Sequence, residues 1–376
     1  MQVIYRGQPH PSLTTSAGRP GCILGGRTGE VFTVDRIARI TSLIDVARMK
    51  GIEIGALHHP LLQRAGTQVR YVDHASTEEL REKYANDGSG EHVVETMVDV
   101  DYVWAPGKRL AEAIAGWGPV DYIVASHVIE HVADPIDWLD QAGEALADNA
   151  FLCLAIPDKR FTFDARRPAS TIGQLIETHF RGATAPTTQQ IFDHVVNFLP
   201  NSDTIALWNG RDPKTFRRQD NPAALAYRMC VEQGETGAYL DVHANVFTDD
   251  SFVEILAELA AIDLLPFAVA EFLPTKRYEL EFVLTLQKLP ESLTAKAKKA
   301  RQEAGFALCR ERLARADRIE RSAYDAPPVL PSLPEVTAYV RNEGRKLARA
   351  AARKAKTGAA SARDRTVTLR RRSERP

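Results

Sequence analysis

Cysteine is scarce: four residues, Cys22, Cys153, Cys230 and Cys309, are spread through 376 positions, and no two stand in CxxC or CxxH spacing. That excludes a disulfide framework and a structural zinc module as expectations. Long hydrophobic runs are missing too, for nowhere do the ~18 uninterrupted apolar residues of a membrane span occur. The N-terminal stretch MQVIYRGQPHPSLTTSAGRPGCILGGRTGE lacks the basic head and apolar middle of a secretory signal. The expected location is the cytoplasm. His58 and His59 are adjacent on one loop with no partner triad nearby in sequence, so no metal is expected.

A one-sided charge is also absent, since the formal net charge is only −1. This balance conceals an asymmetry. From Arg341 onward there are 13 Lys and Arg against 3 Asp and Glu, so an acidic body carrying −11 ends in a tail carrying +10. The tail has few large apolar side chains and reads as a solvated extension; the alternative is an electrostatic tether to an anionic partner such as nucleic acid, a membrane surface or an acidic protein.

What is present is a regular alternation of strand and helix signals between Gly51 and Ile156. GIEIGA and VRYVDH are followed by the helical TEELREKYA, in which Thr77 is a plausible cap. Then come VVETMVDV, the helical GKRLAEAIAGWG, DYIVASHVI, the helical PIDWLDQAGEALAD and FLCLAIP. Short apolar runs separated by helices predict an α/β fold with a mostly parallel sheet covered on both faces. LLPFAVAEFL and YELEFVLTLQK, separated by a few polar residues, predict an antiparallel hairpin at one sheet edge. The expected organisation is an N-terminal extension over 1–44 and a core domain over 45–288, with 158–240 inserted as a lid. A charged helix over 289–325, a Pro-rich linker over 326–340 and the basic tail over 341–376 follow.

In such a sheet a ligand sits beyond the carboxyl ends of the strands, so strand-terminal residues are the informative ones. Glu53 and Gly55 close the first candidate strand, Asp73 the second, Asp99 and Asp101 the third, and Glu130 with His131 follow the fourth. An acid ending the second strand can accept both hydroxyl hydrogens of a ribose, and Asp73 lies 18 residues after Gly55. A dinucleotide site needs further glycines to admit a pyrophosphate, yet Leu57, His58, His59 and Pro60 occupy their places. A ligand with adenine and ribose but no phosphate, such as S-adenosyl-L-methionine, has less need of them. A nicotinamide-dependent oxidoreductase is the competing reading.

DYIVASHVIEHVADPIDWLDQAGEAL resembles the fourth strand and following turn of class I S-adenosylmethionine-dependent methyltransferases of the methyltransferase-11/12 type. VRYVD resembles their second strand. EIGALHHPL, FLCLAIPDKRFTFDARRP and DVHANVFTDDSF resemble the first motif, the fifth strand with its extension, and the late histidine motif of a bacterial subgroup found near surface-polysaccharide genes. Two departures stand out. The first loop lacks Gly-x-Gly, and the fourth helix ends ALADNAFL, where Asn149 can supply the left-handed turn usually given by glycine.

The resemblance implies methyl transfer from S-adenosyl-L-methionine to a small-molecule or glycan hydroxyl. Glu53, Gly55, Asp73, Asp99, Asp101 and Glu130 are then the candidate cofactor residues, His131 and His243 the candidate bases, and Asp158, Lys159 and Arg160 the candidate acceptor contacts. A catalytically inactive scaffold that has kept the fold is the alternative from another class.

Overall fold

A computed structural model describes residues 36–86, 91–237 and 239–325. The Pro-rich linker and basic tail lie outside the described residues, as does most of the N-terminal extension. A compact unit runs to Glu320 and a second begins at Arg321.

Seven strands form one sheet in the order β3-β2-β1-β4-β5-β7-β6. They are β1 (Lys50–Ile54), β2 (Gln68–Asp73), β3 (Tyr102–Val103), β4 (Val120–Ser126), β5 (Leu146–Pro157), β6 (Phe267–Leu273) and β7 (Glu281–Lys288). Strands β1 to β5 pair in parallel, and β7 runs antiparallel to both β5 and β6. This is the Rossmann-like sheet, with an antiparallel hairpin at one edge, that the two C-terminal apolar runs predict. It places the carboxyl ends of β1 to β5 along one rim.

The strands are nearly continuous apolar runs because both faces are covered. On one face Ile52, Ile54, Ile123, Leu152 and Leu154 pack with Ile136, Leu139 and Ala142 of helix α5 (Pro135–Ala145) and with Phe252 and Leu256 of α10 (Asp249–Ala261). On the other, Val69, Tyr71, Tyr122, Val124 and Cys153 pack against Ile40 of α1 (residues 36–40) and against Leu61 and Leu62 of the loop after β1. Asp134 caps α5 by accepting from the amides of Ile136 and Asp137, and Pro135 supplies the first helical residue.

Three expectations about the elements are corrected. VVETMVDV is not the third strand: Glu91–Thr96 is helix α3, and β3 is the two-residue Tyr102–Val103 after it. Val93 and Met97 stand four apart, so a helix turns both inward against Leu80 of α2 (Thr77–Asn86), whereas a strand would bring the exposed Glu95 onto the same face. The helix predicted over GKRLAEAIAGWG shrinks to α4 (Leu110–Ala113). Helix α5 ends at Ala145, three residues early, and β5 begins at once with an irregularity in which Asn149 takes φ 63°. That is the left-handed role expected of Asn149.

Within 158–240 the two expected helices are α6 (Ile172–Phe180) and α7 (Thr188–Asn197), each opened by a threonine capping box. Helices α8 (Thr204–Trp208) and α9 (Pro222–Thr236) were not foreseen; Ile191 and Val195 of α7 pack on Ala226 and Met229 of α9. The C-terminal α11 (Ala295–Asp325) covers the edge strand β6. Gln302 Nε2 donates to the carbonyls of Leu265 and Phe267, and Gly305 sits so close that an added Cβ would stand 2.6 Å from the Val269 carbonyl oxygen.

Candidate active site

The turn leaving β1 is left-handed at Gly55 (φ 70°) and again at Leu57 (φ 47°), and a Cβ on Gly55 would come within 3.1 Å of Val128. No helix forms before β2. The loop folds back instead, and Glu53, 3% exposed, accepts from the amides of Leu61 (2.7 Å) and Leu62 (2.9 Å). Two successive N–H groups are thus held by a carboxylate from the preceding strand. Both oxygens of Glu53 face this loop, which makes it an anchor for the turn. Burial pushes its pKa up to about 7 against the pull of the two amides and Arg36.

Asp73 closes β2 as expected, 7% exposed, with Oδ1 accepting from the His74 amide (2.8 Å) and 2.6 Å from its Nδ1. It lies on a narrow cleft lined also by Ala56, Leu57, Leu80, Met97 and Val98. Asp99 and Asp101 are not strand-terminal, because β3 begins after them. Asp101 accepts from the Tyr71 amide (2.7 Å) and from Arg64 (2.8 Å), and Asp99 pairs with Arg81. Asp101 therefore pins the start of β3 to the middle of β2, and neither acid stands at the ligand-bearing rim. The third strand contributes Trp104 there, its amide donating to the Asp73 carbonyl.

Beyond β4 the chain passes through His127 (φ 55°) into a 3₁₀ turn, Ile129–His131. Glu130 is 1% exposed, and neither of its carboxylate oxygens has a hydrogen-bond partner. The segment 241–247 threads past this turn. Asn245 donates from its amide to the Glu130 carbonyl and from Nδ2 to that of Val132, while the amide of Lys159 bonds Phe247. His243 is brought there, 6% exposed, its ring 4.7 Å from that of His131 and edge-on to it. The two candidate bases, 112 positions apart, share one site.

Each of these histidines is held by an acid. Asp164 Oδ2 lies 2.5 Å from His243 Nδ1, and Arg167 bonds both Asp164 (3.1 Å) and the His243 carbonyl (2.8 Å). Asp241 Oδ1 lies 2.9 Å from His131 Nδ1. Burial pulls the His131 pKa down, but Asp241, Glu130 and Asp164 together carry it up to about 9. Asp164 is held below the usual carboxylate range: burial opposes this, and His243 and Arg167 outweigh it. His194, close by, is driven down to about 3 by burial and is neutral. Among the described residues, Glu130, His131 and His243 offer three ligand atoms within 4.8 Å of one another.

Asp158, Lys159 and Arg160 sit just past β5; Asp158 turns inward, Lys159 is half-buried and Arg160 stays exposed. Asp158 is fully buried, capping its turn at the Arg160 amide and accepting from Arg160 Nε (2.9 Å) and Thr275 Oγ1 (2.8 Å). Arg160 bridges Asp158 to Asp249 at 2.5 Å. Lys159 reaches toward the Ala165 carbonyl, and burial lowers its pKa. This is a cross-link between the end of β5 and the start of α10, which occupies the Asp158 and Arg160 charges that were expected to meet an acceptor. A polar cavity of about 240 Å³ lies instead between α6 and α7, lined by Arg167, Gln174, Glu177, Arg181, Asp193 and Asn245.

Sequence reasoning missed Asp164 and Asp241 as anchors, although both stand inside motifs it singled out. It also missed Glu281, which accepts from Arg36 (2.6 and 2.8 Å) and from His127 (2.8 Å). Burial opposes ionisation of Glu281, but these partners hold its pKa at about 2. No local signal marks a residue 154 positions from its partner.

Residues 27–209, just under half of the chain, match the family model described as a methyltransferase domain. No curated protein matches the sequence. Among solved structures, the chain resembles the CurJ carbon methyltransferase at 13% identity, covering 66% of this chain and 51% of that one with a TM-score of 0.31. It resembles PigF with SAH at 14% identity, covering 69% and 65% with a TM-score of 0.31. It also resembles an O-methyltransferase family protein from Burkholderia thailandensis at 10% identity, covering 69% and 57% with a TM-score of 0.33. The chain spans about half to two-thirds of the length of these structures. Among the described residues, no helix is long and apolar enough to cross a membrane.

Proposed function

We propose that this chain, whose residues 27–209 match a methyltransferase domain and whose sheet is that of the S-adenosylmethionine-dependent class, transfers a methyl group from S-adenosyl-L-methionine to a hydroxyl of a small polar acceptor such as a sugar or glycan. Asp73 at the end of β2 receives the ribose, and the turn at Gly55 lets the backbone approach it. The observation that carries the acceptor class is the polar cavity between α6 and α7. Its wall includes Asn245, two residues from His243, and Arg167, which bonds the His243 carbonyl. Side chains of both signs and several amides line it beside Pro168, Ala244 and Val246, groups able to hydrogen-bond the hydroxyls of an acceptor.

Methyl transfer from a sulfonium needs alignment more than acid catalysis, because the leaving thioether departs neutral. A hydroxyl acceptor must still lose its proton, and His243 is the base offered for it, since the acids around His131 hold that ring protonated. Asp164 fixes the His243 ring by its Nδ1, which leaves Nε2 directed away from that contact. The resemblance to the polysaccharide-associated subgroup rests on the motifs around Gly55, Asp158 and His243 and favours a glycan acceptor.

Calorimetry on the purified chain tests the donor: saturable binding of S-adenosyl-L-methionine is expected, and tighter binding of a nicotinamide dinucleotide would replace this reading with an oxidoreductase. Transfer of labelled methyl to a panel of hydroxylated acceptors tests the reaction. Donor binding without transfer to any sugar, glycan or other polyol would favour the scaffold reading.

A further inference from the structure

We infer that Glu130, His131 and His243 bind a divalent first-row transition metal ion, an assignment that revises the expectation of no metal and deepens the proposed function by naming what draws off the acceptor proton. The three side chains present one carboxylate and two imidazole nitrogens within 4.8 Å of one another. Two histidines with one carboxylate form an open ligand set, leaving coordination positions for substrate or water.

A second observation is independent of that grouping. Glu130 is 1% exposed, and both of its oxygens lack a hydrogen-bond partner. The ring nitrogens facing Oε1 stand at 3.8 Å (His127 Nδ1) and 4.0 Å (His131 Nε2), beyond hydrogen-bond reach. A buried carboxyl group without hydrogen-bond partners is costly, and coordination to a metal is one of the few ways to offset it. An ion bonded at about 2.0–2.2 Å to its ligands spans ligand pairs roughly 3–4 Å apart, the separation left between Glu130 and these rings.

The surroundings of the histidines support the same assignment. His243 has its Nδ1 on Asp164 at 2.5 Å, so its Nε2 is the nitrogen left for an ion; His131 Nδ1 stands 2.9 Å from Asp241 but outside hydrogen-bond geometry, with its Nε2 toward Glu130. His127 repeats the pattern at the rim of the site, with Nε2 on Glu281 at 2.8 Å and Nδ1 toward Glu130. A metal-bound histidine characteristically gives its second nitrogen to a carboxylate, which fixes the ring and raises its basicity as a ligand. Of the positive charges nearby, Arg167 bonds Asp164 and Lys83 pairs with Asp241 at 3.6 Å, which leaves His131, raised by these acids, as the cation beside Glu130, and a bound ion would displace its proton. Imidazole ligands favour manganese, iron, cobalt or zinc over magnesium or calcium.

In the transfer step the acceptor hydroxyl oxygen binds the ion, which lowers its pKa, and the proton leaves to solvent. The oxygen then forms a bond to the methyl carbon while the carbon–sulfur bond breaks, its electron pair staying on the sulfur of the departing thioether.

The test is titration of the metal-stripped full chain with Co²⁺, followed by its visible absorption, beside calorimetry of S-adenosyl-L-methionine on the same sample. One Co²⁺ per chain is expected, weakened more than 10-fold by Glu130→Gln and again by His243→Gln. Without metal, Glu130→Gln should still unfold cooperatively, which separates the loss of a ligand from the loss of the fold. Should that variant fail to fold, His131→Gln replaces it in the Co²⁺ titration. Absence of saturable Co²⁺ binding, or binding retained in the ligand variants, would overturn the metal site. If the donor still bound in that case, the methyltransferase reading would stand without the ion; if Co²⁺ bound and the donor did not, the reverse would hold.

Discussion

Glu53→Gln separates two contributions that the loop after β1 combines. The carboxylate bonds two consecutive amides, of Leu61 and Leu62, while burial lifts its pKa from 4.5 to about 7. A group whose folded pKa exceeds its unfolded value holds its proton in the native state through a pH range where the unfolded chain has lost it. Stability is therefore fully present below the unfolded pKa and falls as pH rises toward the folded pKa. For Glu53 that window runs from 4.5 to about 7. At about 1.4 kcal/mol per pH unit, the parent should lose about 3 kcal/mol across it relative to a variant that cannot titrate.

Glutamine keeps one acceptor and turns a donor toward the second amide, so it carries a constant penalty of about 1–3 kcal/mol. The variant should accordingly be the weaker protein at about pH 5 and should approach or pass the parent at about pH 8. Urea unfolding of both proteins at several pH values measures the difference, and hydrogen exchange at the Leu61 and Leu62 amides reports whether the loop has let go. A stability difference that stays flat with pH would mean that Glu53 remains ionised in the folded protein throughout. The case for burial as the dominant influence on it would then fail.

Asp73→Ala should weaken S-adenosyl-L-methionine binding by about 1.5–3 kcal/mol in calorimetry while scarcely moving the ligand-free melting point. Unfolding with unchanged affinity would make Asp73 a structural residue. Arg160→Ala should cost about 2–3 kcal/mol of stability in urea, because it strips the guanidinium from the buried Asp158 and Asp249. Unchanged stability with selective loss of methyl transfer would restore Arg160 to the acceptor site. Gly305→Ala should cost about 1–3 kcal/mol, since its Cβ would meet backbone at 2.6 Å and lift α11 off the sheet edge. A melting curve identical to the parent's would show that the helix is not held there.

The parallel core was legible because each strand is buried on both faces and bounded by capped helices, so apolar run length and punctuation agree. GIEI, VRYVD, DYIVAS and FLCLAIP all fall inside strands of the sheet. The third strand was not legible, for a physical reason. It is two residues long, fastened by Asp101 to the Tyr71 amide and by Trp104 to the Asp73 carbonyl. Too little apolar surface is buried there to leave a pattern, and the stronger signal in VVETMV belongs to a helix. Helix α9 is masked differently: Asn221 in a left-handed conformation precedes it, and only Ala226 and Met229 are buried.

For the site the division falls along chemistry. A charged residue next to a strand end is visible in sequence, but where its side chain points depends on partners far along the chain. Asp158 and Arg160 satisfy each other and Asp249, so their charge is spent on joining β5 to α10. Glu130 has no such partner, and that absence is visible only in three dimensions, once the segment from Asp241 to Phe247 has carried His243 alongside it. In both cases the sequence offers an acid beside a base just past a parallel strand. A carboxylate whose oxygens are already bonded locally holds the fold together, whereas Glu130, buried with both oxygens open beside two imidazole rings, is arranged as a ligand.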